Sequence, residues 1–225
     1  MHFINRQHFV LFLILFLTIV SGCESIPAKV FESQVAYDRG VVEFFKDKDG
    51  CRIHILGDIS EKLIDAFNLH NGIMSNWNCS SVTVTLNSDG GKVMPAIFLG
   101  EIIRERGYST EIKSGNSCNS ACGLIFIGGG QRVVRGGNIF NLYTNDLGFH
   151  QPRNSNKNTC ITLSDVNNPT AMKIYAYAKK MLTQNALKKF LALFYRTDCS
   201  KIDYVSADDL MAAGIATKLK TILGD

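Results

Sequence analysis

Strand-like and helix-like stretches alternate along most of this chain, and that alternation limits the fold more than any other feature of the sequence. The stretch 81–86, SVTVTL, is rich in β-branched residues, which favour strands. The next stretch, 93–106, places Ile97, Phe98 and Ile102 on one helical face. The alternation predicts an α/β domain with a mostly parallel sheet, βαβ crossovers and a C-terminal helical segment.

The other elements follow from the same patterns, and they leave no linker that would divide the chain into two domains. With 46% hydrophobic and 20% charged residues over 225 positions, the composition excludes a mainly disordered chain. Further strands are predicted over 52–59, 110–113, 132–134 and 139–143, and helices over 61–74, 120–126, 172–194 and 207–213.

An apolar run near the N-terminus predicts export. Residues 9–20 are apolar except for Thr18 and follow Arg6. A bilayer span needs about 20 apolar residues, so this run is too short for one and fits the core of a signal peptide. The run leads into Val-Ser-Gly and then Cys23, a pattern that resembles the bacterial lipobox and predicts a lipid on Cys23. A buried cysteine after a core strand is the alternative.

The leader sets the predicted organisation and location. We expect a signal peptide over 1–22, a lipid-anchored tether with an edge strand over 23–45, and one domain over 46–225. Glu24 beside the lipidated cysteine favours the outer membrane of a bacterial cell envelope, with the domain facing the periplasm. The net charge of +4 without a basic cluster argues against a nucleic-acid partner.

Six cysteines remain after the lipidated one, and an oxidising compartment would pair them in one of 15 ways. Cys51 and Cys79 each precede a predicted strand, so neighbouring parallel strands would bring them within bridging distance. Cys160 with Cys199 would tie the insertion after His150 to the C-terminal helical region. That leaves Cys118 and Cys122, for which a zinc site is the alternative to a disulfide.

Three short stretches hold the residue types that acyl-transfer chemistry needs: 88–91, Ser-Asp-Gly-Gly; 117–123, Ser-Cys-Asn-Ser-Ala-Cys-Gly; and 148–152, Gly-Phe-His-Gln-Pro. Glycines in a strand-to-helix turn can leave backbone N–H groups pointing outward. Ser120 at a helix start would lie in the positive end of the helix dipole, and His150 could act as a base. Taken singly, each also fits an ordinary turn, a plain N-cap or a histidine without a special role.

Together, these stretches resemble the caseinolytic protease (ClpP) family of serine peptidases, within the wider ClpP/crotonase fold group. That family has Asn-Ser-Pro-Gly-Gly, then Ala-Ser-Met-Gly-Ala, then Ile-His-Gln-Pro. Here the spacing is 29 residues from Gly91 to Ser120 and 30 from Ser120 to His150. Stretches 55–59, 206–210 and 214–216 also resemble the family, so the likeness covers roughly residues 50–220.

The resemblance implies Ser120 as nucleophile, His150 as general base, and the N–H groups of Gly91 and Ala121 as an oxyanion hole. It implies no cofactor and no metal, and a peptide or unfolded protein as substrate. The family's acid has no match in register, so Asp203 is the nearest candidate. Asp198 is the other candidate, and a dyad or a degenerate site stays open.

Three other functional hypotheses stay open beside a membrane-anchored periplasmic serine hydrolase. A non-catalytic lipoprotein could keep the fold as a binding or structural module, and the missing acid favours it. A crotonase-type enzyme would act on an acyl thioester with the same two amides. A Ser/Lys pair would need a lysine that the motifs do not supply. For assembly, we expect a monomer or a small homo-oligomer rather than a large self-compartmentalised machine.

Overall fold

The computed structural model describes residues 30–47, 50–136, 146–154, 159–162, 165 and 167–220. The strands are β1 Val30–Tyr37, β2 Gly40–Asp47, β3 Gly50–Gly57, β4 Val82–Asn87, β5 Ser109–Ile112, β6 Ser117–Asn119, β7 Arg132–Arg135, β8 Asp146–Phe149, β9 Arg153–Asn154, β10 Thr159–Cys160, β11 Asp203–Val205 and β12 Lys218–Lys220. The helices are α1 Glu61–Asn68, α2 His70–Ile73, α3 Val93–Glu105, α4 Cys122–Gly128, α5 Pro169–Met181, α6 Gln184–Arg196 and α7 Ala207–Ala212.

A seven-stranded sheet in the order β1-β2-β3-β4-β5-β7-β12 forms the centre of the domain. The two ladders at its β1 end are antiparallel, and the four from β3 to β12 are parallel. Alternate residues such as Ile53, Ile55 and Val84 are fully buried, as expected for a sheet with one face on the core. The predicted mostly parallel α/β fold is confirmed. The strand predicted over 139–143 lies outside the described residues.

Strands β1 and β2 form an antiparallel hairpin that extends the sheet. Residues 30–45, for which the sequence pattern predicts a tether with one edge strand, form two strands that pair within the domain, and β1 is the edge strand. The signal for β2 was present: Val42 and Phe44 are fully buried, while Glu43 between them is only partly buried. That alternation is typical of a half-buried strand. Residues 23–29 of the expected tether and the whole leader lie outside the described residues.

Two predicted helices are each divided in the structure. The helix predicted over 61–74 breaks at Leu69. Beside the break, the ring Nδ1 of His70 lies within hydrogen-bond distance, 2.6 Å, of the Phe67 carbonyl oxygen. The helix predicted over 172–194 breaks after Met181, and Thr183 caps the second part by accepting a hydrogen bond from the Ala186 N–H. A side-chain hydrogen bond to the backbone accompanies each break, and the apolar pattern continues across both.

Helix α4 lies wholly within the core, and all of its residues are buried. The carbonyl groups at its C-terminal end must find donors there, because water does not reach them. Arg104 donates to the carbonyls of Ile127, Gly128 and Gly129, and Arg132 also donates to Gly129. Burial, and after it the charge of Arg104, lowers the pKa of Arg132 to about 10, so Arg132 stays cationic at neutral pH.

Three disulfides cross-link the domain in the predicted pairs, Cys51 with Cys79, Cys118 with Cys122, and Cys160 with Cys199. The first joins the start of β3 to the segment before β4. The second lies between β6 and α4, and the third ties β10 to the loop after α6. The zinc alternative for Cys118 and Cys122 is therefore wrong, because a disulfide sulfur is not a thiolate ligand.

Within the part of the chain that the structure describes, no helix is both long and apolar enough to cross a membrane. The apolar run at 9–20 falls outside that part.

Candidate active site

A second, three-stranded sheet in the order β11-β8-β6 brings the three sequence motifs together. Strands β6 and β8 are parallel, with Asn119 opposite Gly148, and the Ser120 N–H donates to the Gly148 carbonyl at 2.8 Å. Ser88, just after β4, bridges Cys118 of β6. The carboxyl ends of β4, β6 and β8 therefore meet, which is where open α/β sheets place their ligands.

Ser120 occupies a backbone conformation that side chains rarely adopt. Its φ angle is +55°, in the left-handed region, and the Cys118–Cys122 disulfide spans it. Ala121 follows in helical conformation, and the Gly123 N–H donates to the Ser120 carbonyl at 3.1 Å. Ser120 is thus not the plain N-cap of α4. A strained residue held by its surroundings is a frequent feature of functional sites.

No side chain fits at Gly90 or Gly91, because the backbone there lies too close to Ser120 and Ile59. A Cβ at Gly90 would lie 2.8 Å from the Ser120 Cβ, and one at Gly91 would lie 2.3 Å from the Ile59 carbonyl oxygen. Their φ angles of +105° and +145° also exclude most side chains. The glycines therefore let the turn after β4 lie directly against Ser120.

Two backbone amides at this junction have no protein acceptor among the described residues: the N–H groups of Gly91 and Ala121. The bridge to Ile59 uses the Gly90 carbonyl and the Lys92 N–H, so Gly91's own N–H points away from Ile59. Ala121 begins the turn into α4, where the first N–H groups have no partner within the helix. Of the two predicted oxyanion-hole donors, Gly91 is exposed, whereas Ala121 is only 1% exposed and would bind an acceptor only where its N–H reaches one beside Ser120.

A cavity of about 400 Å³ holds Ser120 and His150 together with Gly91. The remaining lining residues are Glu61, Lys92, Val93, Met94, Pro95, Pro152, Arg153 and Thr170. Among the described residues, no hydrogen bond joins the Ser120 hydroxyl to His150. In unliganded sites such bonds are often long or misaligned, so the shared cavity is the relevant geometry.

His150 is half-buried, and its Nδ1 lies 2.7 Å from the carbonyl oxygen of Gln151. A carbonyl can only accept, so Nδ1 must carry the ring proton in this contact. The Nε2 atom of the neutral ring then has a free lone pair, which is the form that a general base requires. Gln151 itself donates to the carbonyls of Thr197 and Tyr195, each at 2.8 Å.

Neither candidate acid contacts His150. Asp203 lies opposite Phe149 in the β11–β8 ladder, but its carboxylate forms an ion pair with Arg196. Asp198 accepts from the hydroxyl and N–H of Ser200, which lower the pKa of Asp198. Within the described part of the chain, no carboxylate bonds to the histidine. The expectation that Asp203 orients His150 is not met, because Arg196 at the end of α6 holds that acid.

Two further ionic groups shape the site. Lys92 lies in the cavity wall and pairs with Glu61 at 2.7 Å, and this hydrogen bond lowers the pKa of Glu61. A lysine base would have to give up that contact. Asp89 accepts from the Ser117 hydroxyl at 3.3 Å and the Asn119 amide at 3.1 Å, so its carboxylate ties the glycine turn to β6.

Metal binding has little support in this part of the molecule. Among the described residues, Cys160, Asp198 and Cys199 are the group whose ligand atoms lie close enough for one ion. The two cysteines are joined in a disulfide, so neither offers a thiolate.

Comparison with known proteins finds a likeness in structure only. No family model and no curated protein matches the chain. A serine-to-alanine mutant of the 1510-N membrane-bound stomatin-specific protease matches with a TM-score of 0.54 and 15% identity, over 74% of this chain and 77% of that chain. A lysine-to-alanine mutant of this protease in complex with a substrate peptide matches with a TM-score of 0.53 and 17% identity, over 74% and 73%.

The chain has a ClpP-like peptidase fold. At these identities the likeness shows the fold alone, so the residue roles rest on the geometry described above. The predicted ClpP/crotonase-like architecture is confirmed. Sequence reasoning missed the role of Gln151 in this site. A polar residue between the histidine and a proline was the available signal, but its partners lie 44 and 46 positions away.

Proposed function

We propose that this chain is a membrane-anchored serine hydrolase that cleaves peptides or unfolded protein segments, with Ser120 as nucleophile and His150 as general base. The observation that carries the proposal is the single cavity of about 400 Å³ shared by Ser120, His150 and Gly91. The ClpP-like peptidase fold supports the same reaction class.

The proposed reaction follows from these groups. His150 Nε2 takes the proton of the Ser120 hydroxyl as Oγ attacks the carbonyl carbon of the substrate. The N–H groups of Gly91 and Ala121 stabilise the resulting oxyanion, and each such donor contributes about 3 kcal/mol. The imidazolium then protonates the leaving amine, and the C–N bond breaks. Water, activated by the same ring, hydrolyses the acyl-enzyme and restores Ser120.

Peptide substrates have two supports. The second structural neighbour is a protease in complex with a substrate peptide. The cavity wall of this chain combines the apolar side chains of Val93, Met94 and Pro95 with exposed charges at Lys92 and Arg153. Met94 is 44% exposed, so the apolar wall continues to the surface, where an extended segment could enter.

A fluorophosphonate probe tests the nucleophile directly, because it labels serines that a base activates. We expect one label per chain in the wild type and none in Ser120→Ala, while Ser75→Ala, an exposed serine outside the cavity, keeps the label. His150→Ala should slow labelling by about 10²- to 10⁴-fold. Labelling that persists in Ser120→Ala would overturn the assignment.

A binding module without turnover is the second candidate. It is favoured by the lack, among the described residues, of a Ser120–His150 hydrogen bond and of a carboxylate on His150. In that case the folded wild type would not react with the probe but would still bind unfolded peptides. A crotonase-type enzyme would differ again, because it would turn over an acyl thioester in the Ser120→Ala variant.

Membrane anchoring at Cys23 and a periplasmic location belong to the same proposal. The three disulfides support export, since such bonds persist in oxidising compartments. Incorporation of radiolabelled palmitate tests the anchor. We expect incorporation in the wild type and none in Cys23→Ser, and equal incorporation in both would contradict it.

A further inference from the structure

We propose that Gln151 is the positioning residue of this site. Its own backbone carbonyl orients His150, where related serine peptidases use a carboxylate. The inference rests on the proposed function, because it assumes that His150 acts as the base.

Gln151 is held by three hydrogen bonds, one at its backbone N–H, one at its side-chain amide and one at its backbone carbonyl. Its backbone N–H donates to the Thr197 carbonyl at 2.8 Å, and its side-chain amide donates to the Tyr195 carbonyl at 2.8 Å. Its own carbonyl accepts from His150 Nδ1 at 2.7 Å. The first two bonds hold the residue at its backbone and at its side chain, and so restrict rotation of its carbonyl away from the imidazole.

The two carbonyls that anchor Gln151 lie at the C-terminal end of α6. Tyr195 is in the last turn of α6, and Thr197 is its C-cap. The final carbonyls of a helix lack partners within the helix, so Gln151 satisfies two groups that need donors. Pro152 follows and is buried, and a residue before proline is restricted to extended conformations. The Gln151 carbonyl is therefore fixed from both sides of its peptide.

The same contact region explains why Asp203 does not orient His150. Asp203 lies one ladder position from the histidine, but Arg196, the last residue of α6, takes its carboxylate. The Cys160–Cys199 disulfide and a hydrogen bond from Arg153 to the Cys199 carbonyl join the hairpin after Pro152 to the same loop. Arg196 at the end of α6 thus holds Asp203 in an ion pair. The carbonyls of Tyr195 and Thr197 hold Gln151, whose own carbonyl contacts His150 instead.

A carbonyl sets the tautomer as a carboxylate does, but it stabilises the imidazolium less because it has no net charge. Losing the tautomer in a serine peptidase is costly, since the lone pair then lies on the wrong nitrogen. The side chain of Gln151 should therefore affect the rate of serine acylation while leaving substrate binding nearly unchanged.

The test compares probe acylation rates in four variants of the full chain: Gln151→Leu, His150→Ala, the double variant, and Gln184→Leu as a matched control at an exposed position. We expect Gln151→Leu to slow acylation by about 10- to 100-fold, part of what a positioned base contributes, with KM for a peptide ester nearly unchanged. The double variant should be no slower than His150→Ala, because Gln151 acts only through the ring. Gln184→Leu should match the wild type.

Gln151→Glu keeps the shape and removes the donor, which guards against a variant that fails to fold. An ionised glutamate cannot donate to the Tyr195 carbonyl, so this variant should also be slow at neutral pH. The ¹⁵N shifts of His150 give a readout that does not depend on turnover. We expect an Nδ1–H ring in the wild type and a mixture of tautomers in Gln151→Leu.

The outcomes separate the two proposals. A wild type with no serine label but an Nδ1–H ring that depends on Gln151 would refute the proposed function and leave the positioning role. Serine-dependent labelling that Gln151→Leu does not slow would overturn the positioning role alone. The positioning role would also be overturned if Gln151→Leu slowed acylation in the His150→Ala background as much as it does in the wild type. Gln151 would then act on the reaction without His150.

Discussion

The two halves of the candidate site are held together in different ways. The nucleophile half, residues 88–91 and 117–122, depends on close backbone packing and on a disulfide whose two cysteines are fully buried. The base half, residues 148–153 and 195–199, depends on hydrogen bonds to carbonyls and on a disulfide whose cysteines are half-buried. The first half is fixed by sterics, and the second is fixed by polar contacts between distant segments.

This difference predicts how each half responds to damage. A steric arrangement fails abruptly, because protein interiors do not yield to an extra atom without moving backbone. A set of hydrogen bonds fails gradually, since each bond contributes about 1 kcal/mol net. Substitutions in the nucleophile half should therefore cost more activity than substitutions of similar size in the base half.

Among Gly90→Ala and the removal of either site disulfide, Gly90→Ala should have the largest effect on activity. The added Cβ would lie 2.8 Å from both the Asn119 carbonyl oxygen and the Ser120 Cβ, at a φ of +105°. Displacing Ser120 by about 1 Å should lower kcat/KM by about 100-fold. Strain should also lower the free energy of unfolding by about 1–3 kcal/mol. Peptide-ester kinetics and thermal unfolding measure the two effects.

Gly107→Ala is the matched control for that substitution. Gly107 also has a positive φ, +67°, but a Cβ there would meet nothing within 4 Å. We expect a loss of about 1 kcal/mol in stability and unchanged kinetics. Equal activity losses in the two variants would show that Gly90 matters through general stability and not through Ser120.

The same contrast explains what could be predicted from the sequence. The nucleophile half is built from local signals: a Gly-Gly turn, small residues around Ser120, and cysteines four positions apart. The parallel sheet followed from β-branched runs. The sequence pattern predicts only one edge strand in the tether region, although the alternation of β2 is readable. The division of two helices is accompanied by side-chain hydrogen bonds that periodicity does not show.

The base half could be predicted only as far as His150 itself. Asp203 was chosen because it is near in sequence to the expected position, but Arg196 holds its carboxylate. The residue that contacts the imidazole, Gln151, is anchored by carbonyls 44 and 46 positions along the chain. Such contacts carry no periodic or spacing signal, because any residue can offer a carbonyl.

Among Gly90→Ala and the two disulfide removals, the loss of the Cys118–Cys122 bond should have the second-largest effect on activity. With a separation of only four residues, this bond restricts the unfolded chain little, so the double alanine variant should lose about 2 kcal/mol of stability. Ser120 would lose the cross-link that spans its left-handed backbone conformation, with φ of +55°. Acylation should then slow by about 10-fold or more. Probe kinetics and denaturant unfolding check the two numbers.

The double alanine variant of Cys118 and Cys122 could also give the opposite result. Wild-type acylation with a stability loss above that of the other disulfide would mean that the bond serves folding and not the presentation of Ser120. Because both cysteines are fully buried, alkylation after mild reduction of the native protein should leave this pair intact.

Of these three changes, removing the Cys160–Cys199 disulfide should have the smallest effect on activity. Of the two disulfides, its removal should have the larger effect on stability. Its 39-residue separation gives an expected loss of about 4 kcal/mol in the double alanine variant. The hydrogen bonds of Gln151 to Tyr195 and Thr197 remain, so acylation should slow only a few-fold while the protein is folded. The two disulfide variants should therefore rank in opposite orders for activity and for stability. A Cys160–Cys199 variant that loses more activity than the Cys118–Cys122 variant would mean that covalent attachment, and not Gln151, holds the base half in place.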